Sequence, residues 1–160
     1  PHVRTGGLSG LLELLEDAGG REDLPDLAEK LLLNADDLLN IVDAAVLLGF
    51  SEVKDGDVCL TENGRRFSQS DILESKKIFR ESLIRNVPFA RTIERALQEK
   101  KDKRMNAEFF LDILDERFPE EEAKRQFNTL VDWGRFAELF EYDTADGVLY
   151  IPLEIVDEED

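Results

Sequence analysis

The residues that most often carry chemistry are scarce in this chain. It holds one histidine and one cysteine. These leave no spare part for a Cys/His zinc site, a Cys–His dyad or a Ser–His–Asp triad. His2 lies in the first residues and is expected to be solvated. Cys59 falls between Val58 and Leu60 in a predicted strand and lacks the basic neighbours of a nucleophilic thiol, so a small packed thiol is expected. Gly6-Gly7-Leu8-Ser9-Gly10 is rich in glycine but lacks the lysine of a phosphate-cradling GxxxxGK[ST] loop, and reads as a flexible lead-in to a helix. No GxGxxG follows a predicted strand, which leaves a dinucleotide site unsupported. Asp143-Thr144-Ala145-Asp146-Gly147 resembles part of a calcium loop, but Ala145 breaks the alternation of oxygen ligands, so a hairpin turn is expected. Carboxylates abound, yet no pattern isolates a pair for acid–base work. The sequence therefore assigns no catalytic, cofactor-binding or metal-binding residue, and the expectation is a chain that is not an enzyme.

What remains is charge. Thirty-seven acidic residues against 20 basic give the 160-residue chain a formal net charge of −17. An apolar fraction of 42% still marks a folded globular chain. The charge is uneven. Residues 1–60 carry 4 basic and 13 acidic side chains, a net of −9; residues 61–104 carry 12 and 7, a net of +5; residues 105–160 carry 4 and 17, a net of −13. In the basic middle, Lys76 and Arg80 share one helical face by their spacing, as do Arg91 and Arg95. Lys76, Lys77, Arg80, Arg91 and Arg95 form the candidate interaction patch. Its two readings are a solvated face packed against the acidic lobes and a docking patch for an acidic protein surface.

The elements that must position these groups repeat. Leu8, Leu11, Leu12 and Leu15 make one helical stripe, with Thr5 or Ser9 as its cap and Gly19-Gly20 as its stop. Leu24, Leu27, Ala28 and Leu31 make a second, and Leu38, Ile41, Val42, Ala45 and Leu48 a third, capped by Asn34 and ended by Gly49. Strands are predicted at 50–53 and 58–60 around Asp55-Gly56, a hairpin signal. After residue 88 the order returns. Helices are expected around Phe89–Leu97, Phe110–Leu114 and from Pro119 onward. The last of these has Ala123, Phe127, Leu130 and Val131 as its stripe and Gly134 as its end. A strand over 136–142 and another over 148–151 follow. Leu48-Gly49-Phe50 aligns with Trp133-Gly134-Arg135. Trp133, with Phe136, is the candidate packing or interface anchor. A helix over 71–86 with Ile72, Phe79, Leu83 and Val87 as its stripe joins the two blocks.

The expected fold is mainly α with small β-hairpins: tandem winged-helix units joined by a central helix. The units are residues 1–70 and 88–153, with the linking helix at 71–87 and an acidic tail at 154–160. Winged helices suggest DNA, but the third helix of the first unit offers Asp36, Asp37 and Asp43, and that of the second begins with three glutamates. Carboxylates there repel phosphate, so duplex DNA is disfavoured. No run of 18 apolar residues is present, so direct membrane insertion is not expected. A single cysteine suits a reducing compartment, and no secretory signal is visible.

Several segments follow one family pattern: Leu24-Pro25-Asp26-Leu27-Ala28, Leu47-Leu48-Gly49-Phe50, Leu60-Thr61-Glu62-Asn63-Gly64-Arg65, Phe109-Phe110-Leu111-Asp112 and above all Asp132-Trp133-Gly134-Arg135-Phe136-Ala137-Glu138-Leu139-Phe140. This resembles the AAA-associated C-terminal domain that follows the ATP-binding cassette in nitrate/sulfonate/bicarbonate-type ABC transporter ATPase subunits. The likeness covers about residues 7–151. It implies a non-catalytic accessory or regulatory module whose partner is the transporter ATPase domain, in cis upstream of Pro1 or in trans. It also implies a cytoplasmic site peripheral to the inner membrane. It carries no catalytic or ligand position, and no Walker A motif is present. The alternatives are a winged-helix nucleic-acid-binding regulator and a small-anion sensor with a site between the units. Homodimerisation through the central helix is a further expectation.

Overall fold

The computed structural model describes residues 3–152; His2 and the acidic tail at 154–160 lie outside them. The chain divides into two compact units between Val87 and Pro88. Both are mainly helical, each with one small antiparallel sheet.

The first unit runs α1 (Thr5–Asp17), β1 (Arg21–Asp23), α2 (Leu24–Leu31), α3 (Ala35–Leu47), β2 (Ser51–Lys54), β3 (Asp57–Leu60), α4 (Glu62–Gln69) and α5 (Ile72–Asn86). The leucine stripe of α1 is fully buried at Leu8, Leu11, Leu12 and Leu15. That burial outweighs the cost of glycine in a helix, so Gly6, Gly7 and Gly10 lie inside α1 and do not form a flexible lead-in. Neither Thr5 nor Ser9 caps it: Arg4 holds that position without a side-chain bond. Gly19 and Gly20 stop it at φ 84° and 99°, with the Gly20 amide donating to the Leu15 carbonyl at 2.7 Å. Asn34 caps α3, accepting from the Asp37 amide at 2.8 Å. Gly49 closes α3 at φ 82°. Asp55 and Gly56 turn the hairpin, both at positive φ, as a two-residue turn between right-twisted strands requires. β3 is the centre of the sheet, with β2 on one side and β1 on the other.

α5 belongs to the packing of this unit. Phe50, Phe67 from α4 and Phe79 from α5 meet as an aromatic trio, the first two rings stacked at 4.9 Å and the others at 6.0 Å. The buried face of α5 is Ser75, Ile78, Phe79, Ser82 and Leu83. Ile72, expected in that stripe, is 61% exposed because it opens the helix before the buried row begins at Ser75. Val87 is half-buried.

The second unit runs α6 (Pro88–Gln98), β4 (Arg104–Asn106), α7 (Ala107–Asp115), α8 (Glu120–Phe136), β5 (Glu141–Asp143) and β6 (Val148–Tyr150). Ala123, Phe127, Leu130 and Val131 of α8 are buried, as their spacing predicts. Its sheet has β6 in the centre between β4 and β5. The helix does not end at Gly134. It continues to Phe136, and Glu138 closes it at φ 59°, with the Leu139 amide donating to the Gly134 carbonyl at 2.9 Å. A strand from residue 136 is therefore excluded, and β5 begins only at Glu141. Gly134 serves packing: a Cβ there would fall within the buried ring of Phe140.

Candidate interaction surface

In the Leu60–Phe67 segment, the clearest local motif of the first unit, Thr61, Asn63, Gly64 and Phe67 serve the packing. Thr61 caps α4 by accepting from the Gly64 amide at 3.0 Å, and its hydroxyl donates to the Gly49 carbonyl at 2.6 Å. Asn63 donates to the Ser82 hydroxyl at 2.8 Å, which ties α4 to α5. Gly64 sits so close to the Phe50 carbonyl that a Cβ would overlap its oxygen. None of these groups is left to act on a ligand.

The predicted basic patch falls in two units. Lys76, Lys77 and Arg80 lie on α5 of the first; Arg91 and Arg95 lie on α6 of the second. Lys76 and Arg91 are half-buried, while Lys77, Arg80 and Arg95 are exposed. Lys77 and Arg80, joined by Glu81, Ile84 and Arg85, line a shallow open groove of about 620 Å³. Groups of like charge on one helix face raise the local anion affinity when the surface is low in dielectric. Here one acid and one apolar side chain share the groove with three cations, a mixed lining suited to a protein surface.

The outward side of α3 is the reverse in sign. Asp36, Asp37, Leu39, Asn40, Asp43, Val46 and Leu47 are exposed. Neighbouring acids are built into the fold. Asp23 caps α2 by accepting from the Asp26 amide at 2.7 Å, and Glu22 pairs with Lys30 at 2.6 Å. The Lys30 and Asp23 hydrogen bonds hold the Glu22 carboxyl below its usual range, and the Asp23 charge pushes the Asp26 carboxyl up. Glu22, Asp23 and Asp26 bring carboxylate oxygens within 4.8 Å of one another, an arrangement explained by that cap and that ion pair. Sequence reasoning missed β1 and hence this cluster, because three charged residues carry no strand signal.

The equivalent helix α8 shows Glu120, Glu121, Lys124, Arg125 and Asn128 to solvent. Its cations face its own acids: Lys124 lies 3.6 Å from Glu120 and Arg125 4.0 Å from Glu122. In the first hairpin, Lys54 pairs with Glu52 at 3.0 Å. The calcium-loop-like segment is a turn in which Asp143 accepts from the amides of Ala145 and Asp146. Cys59 is half-buried in the central strand of its sheet. Trp133 is 2% exposed within α8, and Phe136 is half-buried one turn on. Among the described residues no helix is long and apolar enough to cross a membrane.

Comparison with known families matches residues 25–143 to a model described as the C-terminal AAA-associated domain. The match includes the hairpin of the first unit and the Asp132–Phe140 segment of the second. Searches of curated proteins and of solved structures each returned no match.

Proposed function

Because this chain belongs to the C-terminal AAA-associated domain family, we propose that it is a non-catalytic accessory module of an ATPase, and that the ATPase is the ATP-binding subunit of a nitrate/sulfonate-type ABC uptake transporter. The family match over 25–143 carries this reading. Membership implies association with an AAA-type ATPase in general; the transporter class rests on the resemblance of the Asp132–Phe140 segment. In this reading each unit is a winged helix used for protein contact, in the cytoplasm beside the inner membrane. The element order supports the first part: helix, strand, two helices and a hairpin recur in both units. The charge supports the second. α3 offers carboxylates where a DNA reader offers Arg, Lys, Asn or Gln, and the α8 cations are engaged by its own glutamates.

The test is binding. The chain, labelled, is titrated against the ATP-binding subunit of a nitrate/sulfonate-type transporter encoded in the same genome, with and without ATP. Saturable binding at micromolar concentration supports the proposal. Absence of binding in both nucleotide states, with retention of duplex DNA at low salt, overturns it in favour of the nucleic-acid reading.

A further inference from the structure

Among the described residues, two helix faces of the first unit are exposed, and they complement each other. α3 buries Leu38, Val42, Ala44 and Ala45. On its outer side Leu39, Asp43 and Val46 follow at i, i+4 and i+7, one row on a helix surface. Leu39, Val46 and the adjacent Leu47 are 45%, 42% and 40% exposed. Asp36 lies one turn before Leu39, and residues 31–53 hold no Lys or Arg. The face is an apolar row edged with carboxylates.

α5 carries the counterpart. Leu73, Lys77 and Arg80 also follow at i, i+4 and i+7, and Leu73 is 75% exposed. Ile84 continues the row along the groove that Lys77, Arg80 and Arg85 line. Leucine followed by aspartate and valine on one helix thus meets leucine followed by lysine and arginine on the other. The C-terminal ends of the two helices meet, because the Asn86 side chain on α5 donates to the Leu48 carbonyl at the end of α3, at 3.2 Å.

We propose that a second copy of this chain covers both faces: α3 of each copy lies along the α5 groove of the other, across a two-fold axis. A chain that holds both halves of a match fills both at once in a closed dimer, whereas a single unreciprocated contact leaves one apolar row in water and propagates. Burial of Leu39, Val46, Leu47 and Leu73 supplies the apolar contact, and Asp36 and Asp43 against Lys77 and Arg80 set the register. Duplex DNA fits the groove less well, because Glu81 lies within it. This inference stands apart from the ATPase reading, and its experiment contains no ATPase.

The oligomeric state is read by sedimentation across a concentration series at low salt. The wild-type chain is expected to show a dimer that weakens as salt is added. The D36K/D43K and K77E/R80E variants each set like charges against like, and each is expected to raise the dimer dissociation constant by about tenfold or more. Mixing the two variants restores opposite charges at both contacts and is expected to recover a mixed dimer. The chain with all four substitutions is expected to recover it alone, which controls for folding. A single-chain mass for the wild type at every concentration overturns the proposal. So does a dimer indifferent to all four charges, or a ladder of masses beyond two. Loss of duplex binding by a monomeric K77E/R80E chain assigns the groove to nucleic acid and overturns it as well.

Discussion

Replacing Gly64 with alanine should unfold the first unit far below its normal temperature, although alanine is the better helix former. Gly64 lies in the first turn of α4, and a Cβ there would overlap the Phe50 carbonyl oxygen and come 2.8 Å from its carbon. That carbonyl is not free to move, because it accepts the Thr61 amide at 3.1 Å in the same corner. Overpacking against fixed atoms costs about 1–3 kcal/mol. Loss of the Thr61 bond costs about 1 kcal/mol more, and helix propensity returns at most about 1 kcal/mol. The net is a loss of about 2 kcal/mol. For a unit of this size that lowers the melting temperature by about 8–16 °C. The control is the same substitution at Gly10, inside α1 with nothing within 4 Å of its would-be Cβ. There the propensity term acts alone, and stability should rise by about 0.5–1 kcal/mol. Thermal melts followed by circular dichroism measure both. A G64A chain as stable as the wild type, or as G10A, would show that the corner at Phe50 admits a methyl group without cost.

Three further outcomes follow from the same geometry. G134A should destabilise the second unit by about 1–3 kcal/mol, since its Cβ enters the Phe140 ring; the fluorescence of Trp133, the sole tryptophan, reports it in urea. N34A removes the bond to the Asp37 amide and should lower stability by about 1 kcal/mol, read as a reduced urea midpoint. D26N should raise the melting temperature at neutral pH and leave it unchanged in acid. The Asp23 charge lifts the Asp26 carboxyl above its usual range, so ionised Asp26 opposes folding at neutral pH, and that opposition vanishes once both folded and unfolded forms are protonated. A melting-temperature profile from acid to neutral pH checks the sign.

Much of the fold was legible wherever a stripe met a stop. α1, α3 and α8 follow from leucine, valine and phenylalanine spacing, and the first hairpin follows from Asp55-Gly56, because only a few residue types take two positive φ angles in succession. The end of α8 was not legible. Gly49 ends α3 by its left-handed backbone, so Gly134 looked like its equivalent. The equivalent of Leu48-Gly49-Phe50 is instead Ala137-Glu138-Leu139, one helical turn later, with Glu138 in the left-handed region. A glycine present for the space beside a ring and a glycine present for its φ look alike in sequence. β1 and β4 escaped because each is a short strand fixed by its partner, Arg21–Asp23 by β3 and Arg104–Asn106 by β6. The basic patch was legible as charge, and so was its division between α5 and α6, because helical spacing relates residues within one helix and the break at Pro88 ends that relation. The carboxylate–apolar face of α3 was half legible. The acids were plain, while the exposure of Leu39, Val46 and Leu47 depends on which side of the helix the core occupies.

In the proposed function this chain acts on an ATPase without being one. Phosphate release measures it most directly, with the chain alone, the nitrate/sulfonate-type ATP-binding subunit alone, and the two together. Release at the level of the blank is expected for the chain alone, and a changed rate for the pair relative to the subunit. Turnover by the chain itself, or a rate for the pair identical to that of the subunit at saturating chain, would contradict it.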